Sequence, residues 1–149
     1  LESLKSDNPY GRCVWHCDND VVDHQAVTIK FEDGSIAVHS LIGAATRGCR
    51  TIHIVGTQGE IQGVMEDGQF VVRRPSLELD KQYTEEIVNI DVKSDMHGGG
   101  DLLLVEDFVK RLRGESPSIS STLLEDSIYG HLIGFAADES MYGKRNIDI

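Results

Sequence analysis

No run of eighteen or more apolar residues occurs anywhere in these 149 residues, so no segment reads as a membrane-spanning helix. Positive charge is scarce: 14 Lys and Arg stand against 25 Asp and Glu, a formal net charge of -11, and no basic stripe gathers along the chain. Phosphate-rich partners are held by clustered cations, so the balance argues against nucleic acid and against an acidic membrane surface. Cysteine is scarce too. Cys13, Cys17 and Cys49 are odd in number and lack the spacing of a disulfide framework, which points to a reducing, cytoplasmic compartment. No secretory signal pattern opens the chain. Its polar start, LESLKSDNPYGRC, lacks an initiator Met and reads as a cut inside a longer protein, with residues 1–12 a tail or residual linker ahead of one domain over 1–149.

Several chemical signatures are missing as well. A dinucleotide fingerprint needs G-x-G-x-x-G after a parallel strand, whereas GTQGEIQG (Gly56–Gly63) has another spacing and lies between hairpin strands. No Walker lysine follows either glycine cluster, no G-x-S-x-G occurs, and no carboxylate pair announces a glycosidase.

What is present falls into two parts. RCVWHC is short and aromatic and reads as a strand; VVDHQAVTIKF (Val21–Phe31) alternates, with Val27, Ile29 and Phe31 on one face. Asp33-Gly34 supplies the positive φ of a tight hairpin, and SIAVHSLIG returns as its second arm. RTIHIVG (Arg50–Gly56), EIQGVM (Glu60–Met65), QFVVRR (Gln69–Arg74) and EEIVNIDV (Glu85–Val92) continue the pattern. Hairpins without intervening helices predict an antiparallel meander in one broad, open sheet.

From Met96 the period becomes helical. Leu102, Val105, Phe108, Val109 and Leu112 share a face, Asp101 is placed to cap the N-terminus, and Gly114 terminates. SPSISST links to a second helix over about Thr122 to Tyr142, with a stripe of Leu124, Ile128, Leu132 and Phe135 ended by Gly143. The expected fold is α+β, a large open antiparallel sheet with helices on one side. A chain of this length is expected to bury roughly 68–70% of its unfolded surface around a core.

The candidate site is HGGGD. Three glycines exceed what a helix cap requires and allow close approach of backbone to another strand or a bound molecule. His97 beside them has the chemistry to hydrogen-bond a polar ligand or move a proton near neutral pH, although a structural role is the default for a lone histidine. Cys13, His16, Cys17 and His24 match zinc ligands by type but not by spacing, since a strand would put both cysteines on one face and His16 on the other. DNDVVD fails as a calcium loop, because Val22 and Asp23 stand where an oxygen ligand and a glycine are needed. His39, His53 and His131 read as edge or core positions.

Taken in order, CVWHCDNDVVDHQAVTIKFEDGSIA, RTIHIVGTQGEI, HGGGDLLLVEDFV and SIYGHLIGFAADES resemble the C-terminal domain of the Gfo/Idh/MocA oxidoreductases, over roughly Cys13 to Ile149. The resemblance implies a parent protein with an N-terminal Rossmann domain holding NAD or NADP, and a C-terminal domain whose sheet lines the substrate cleft and pairs with another subunit. It implies hydride exchange between nicotinamide and a hydroxyl carbon of a sugar, cyclitol or related polyol. The family's glycine fingerprint, catalytic lysine and Asp/His pair have no counterpart in this chain. The expectation is therefore no catalytic residue, bound cofactor or metal here, with His97, Gly98 and Gly99 at the substrate side, Asp101 as helix cap, and a homo-oligomer formed through the sheet. Two other readings stand beside it: a non-catalytic protein-interaction module, and a parent that cleaves glycosides by NAD-dependent transient oxidation.

Overall fold

Turn chemistry shapes the first hairpin. Gly34 takes φ +86°, and its N–H donates to the Phe31 carbonyl at 3.0 Å. The Asp33 carboxylate accepts from the Ser35 N–H at 2.9 Å. This is a three-residue loop closed by a left-handed glycine. It joins β1 (His24–Lys30) to β2 (Ile36–Ile42), antiparallel from His24↔Ile42 to Lys30↔Ile36.

The structure is a computed structural model describing residues 2–6, 8–92 and 96–149, so two positions of the expected tail, 1 and 7, lie outside the described residues. By its internal contacts the chain divides into two units, Leu1–Thr46 and Arg47–Ile149. The first holds the β1–β2 ribbon. The second holds a four-stranded antiparallel meander of β3 (Thr51–Gly56), β4 (Gly59–Val64), β5 (Gln69–Pro75) and β6 (Tyr83–Asn89), then α1 (Gly100–Leu112) and α2 (Leu124–Gly143). The described residues are thus mixed α and β, with two antiparallel sheets and two α-helices.

Three expectations need correction. The strands form two separate sheets, not one broad sheet. RCVWHC is not a strand: the chain turns over Val14–His16, where the His16 N–H meets the Cys13 carbonyl at 3.0 Å. Six residues between polar loops give it no partner strand to pair with. Nor does the expected core form, for among the described residues no hydrophobic side chain is buried.

The reason lies in how the apolar faces are left. Registers Ile52↔Gly63↔Phe70↔Val88 and Ile54↔Ile61↔Val72 put these six large apolar side chains on one face of the meander. Phe70 lies across Gly63, where an added Cβ would stand 2.6 Å from its ring. Ile54 and Ile61 nevertheless remain exposed. The helices do not cover them, since Phe108 of α1 is 62% exposed and Phe135 of α2 is 69% exposed. Ile52, Phe70, Val72 and Val88 are left half-buried, and toward β6 the same face carries the Arg74–Glu86 ion pair beside Val72.

Candidate functional site

HGGGD forms a left-handed turn. His97, Gly98 and Gly99 take φ of 53°, 67° and 84° in succession. Glycine adopts this region freely, and histidine is among the few other residues that visit it. Gly98 lies against Val92, where a Cβ would come within 3.2 Å of a Val92 methyl. The close approach that the glycines permit is therefore used, at least in part, by the protein's own chain.

Asp101 does not cap α1. The N-cap position belongs to Gly99, with no side-chain cap hydrogen bond. Asp101 is already in the first helical turn, and both of its carboxylate oxygens lie 2.9 Å from His97 Nδ1. A carboxylate only accepts, so Nδ1 carries the proton and Nε2 is the acceptor of the neutral ring. The structure thus brings His97, Gly98, Gly99 and Asp101 into one turn, with Asp101 fixing the imidazole's tautomer instead of the helix end.

A second constellation, unseen in the sequence, crosses the other face of the meander. Register Val55↔Glu60↔Arg73↔Glu85 sets Arg73 between two carboxylates. Arg73 Nη1 reaches Glu60 at 3.1 Å and Nε reaches Glu85 at 2.8 Å. Glu60 also meets His53 Nε2 at 3.1 Å. The hydrogen bond from His53 and then that from Arg73 hold the Glu60 carboxyl below its ordinary value, while the carboxylates hold Arg73 up. His53 is thus a hydrogen-bonded position on the edge strand β3, in keeping with the reading of its sequence. Beside this row, Val55, Gly56, Gly59, Arg74, Pro75, Gln82 and Tyr83 complete a cleft of about 500 Å³. None of His97, Gly98 and Gly99 lines it.

In the first unit, Arg12, Cys13, His16, Cys17 and Asp18 surround a depression of about 440 Å³, with Arg12 Nη1 3.0 Å from Asp18. Among the described residues no group of three or more His, Cys, Asp or Glu side chains is placed to hold a metal ion. Comparison with protein-family models, with curated proteins and with solved structures gives no match.

Proposed function

We propose that this chain is the substrate-side and assembly domain of an NAD(P)-dependent oxidoreductase acting on a hydroxyl carbon of a sugar, cyclitol or related polyol. What supports the reading is the order of the four sequence segments, together with one structural observation: an antiparallel sheet one face of which carries six large apolar side chains, none of them buried. Exposed contiguous apolar surface marks association sites in soluble proteins. In this proposal that face pairs with a second copy of the chain.

The described residues do not fit a dinucleotide. Their glycines sit in hairpin turns and a left-handed turn, and the strands of both sheets run antiparallel. In this proposal the cofactor belongs elsewhere in the parent protein. The chain's own contribution is to orient substrate. Asp101 fixes the ring of His97, whose Nε2 in the neutral form accepts a hydrogen bond from a substrate hydroxyl. In the intact parent, His97→Ala is expected to lower kcat/KM by about tenfold, the worth of one well-placed hydrogen bond. An unchanged value removes His97 from the site.

The second reading, a non-catalytic association module, is favoured by the same uncovered faces. It requires assembly and no turnover, so it parts from the first on nicotinamide-linked oxidation of polyols by the intact parent.

A further inference from the structure

The cleft at the Gly56–Gly59 end of the meander has a chemistry of its own. It lies at one end of β5, a seven-residue strand about 20 Å long, whereas the His97 turn meets Val92 beside Gly68 at the other end. It is an open depression of about 500 Å³ on the sheet, not an enclosed pocket. Gly59 makes room for it. With φ +147° this residue brings β4 so close to β5 that an added Cβ would run into the Arg73 carbonyl.

The lining combines an aromatic ring with polar groups that are already held in place. Tyr83 lies under the Arg73 guanidinium at 5.9 Å from the ring centroid, yet the residue remains 51% exposed. Val55 and Pro75 extend this apolar floor. The charges around it are balanced. Arg73 is paired with Glu60 and Glu85, and Arg74 Nη1 meets Glu86 at 2.9 Å. A charged ligand would have to displace one of these partners. A neutral ligand would not. Of the five N–H groups of a guanidinium, Arg73 directs Nε to Glu85 and Nη1 to Glu60 and Gln62. That leaves the Nη2 hydrogens uncommitted among the described residues, on a guanidinium whose Nη1 is held by Glu60. A donor and an acceptor side by side match adjacent hydroxyls, and the Tyr83 ring matches the C–H face of a sugar ring.

We propose that this cleft binds a neutral saccharide through Tyr83, Arg73 and Glu60, as a site separate from the His97 turn. The site stands independently of any nicotinamide chemistry. Titration of the ¹⁵N-labelled chain with maltose tests it. Saturable amide shifts are expected at Gly56, Gly59, Glu60, Arg73 and Tyr83, with a Kd of about 1–10 mM, the weak end of specific binding. Tyr83→Ala should weaken binding at least tenfold, with the β4–β5 amide pattern serving as control for the fold. Gln82→Ala, in the loop before β6, should weaken it without touching a strand. His97→Ala should leave it unchanged, which separates failure of this site from failure of the oxidoreductase reading. Absence of saturable shifts, equal shifts in Tyr83→Ala, or equal shifts with inorganic phosphate would each overturn the proposal, the last by making the cleft an anion site.

Discussion

The two carboxylate oxygens of Glu66 each take one hydrogen bond from Arg50, Oε2 from its backbone N–H and Oε1 from its Nε, both at 2.7 Å. The Met65 N–H returns one to the Arg50 carbonyl at 2.9 Å. These bonds clasp the open end of the β3–β4 hairpin, and Arg47 adds a further pair with Asp67.

The clasp predicts an acid transition. The Arg50 backbone N–H, and then its side chain, hold the Glu66 pKa at about 2, down from 4.5. A carboxyl whose folded pKa is depressed contributes stability above its unfolded value and loses it as pH falls through the folded value. Thermal melts should therefore show stability of the β3–β4 hairpin declining between pH 4.5 and 2, which are the two ends of the shift. Glu66→Gln should flatten that part of the profile. A profile identical to that of the unsubstituted chain would detach Glu66 from the hairpin's stability.

Arg73 is the hinge of the cross-strand row. Removing its charge leaves Glu60 of β4 and Glu85 of β6, on either side of β5, with no cation between them. In Arg73→Met the Glu60 pKa should rise, since one of the two hydrogen bonds that lower it is gone; His53 keeps the other. Carboxyl-detected NMR titration reads this. An unmoved Glu60 would mean that His53 alone sets its ionisation.

At Gly59 an added methyl group meets backbone, not a flexible side chain. Gly59→Ala is expected to cost roughly 1–3 kcal/mol, the scale of forcing a side chain into a glycine-only conformation. Chemical denaturation checks it, and a loss well below this range would show that the Gly56–Gly59 turn relaxes freely.

Asp107 is the only polar or charged residue buried among those described, and it ties the inter-helix loop to α1. It accepts from the Ser118 N–H at 2.9 Å and from the Ser118 hydroxyl. Ser118→Ala keeps the backbone bond, whereas Asp107→Ala removes both. Amide exchange in residues 114–122 should accelerate slightly in the first variant and strongly in the second, with several degrees lost from Tm. Equal exchange in the two would show that the backbone bond does nothing.

What could be read from the sequence follows the range of the interactions. The six later strands and both helices were legible because period and turn residues are local: Gly34 and Gly114 both take a positive φ. Cys13 to Cys17 misled, because an aromatic and β-branched run looks like a strand whether or not a partner exists to pair with it. Asp101 misled in a related way. Its residue type suits a cap, but the left-handed turn puts Gly99 at that position and hands the carboxylate to His97. The Glu60–Arg73–Glu85 row and the Glu66–Arg50 clasp depend on register between strands. Their one trace in the sequence is opposite charges recurring at matched positions of successive strands, meaningful only once the pairing is known.

Assembly through the uncovered sheet face is tested most directly by the mass of the chain in solution, measured by light scattering across a concentration series, alone and as Ile54→Lys. A dimer or larger species that falls to the 16.5 kDa monomer in the variant is the expected result. A monomer at every concentration in the unsubstituted chain would contradict it, and the meander's apolar face would then not be where copies of this chain meet.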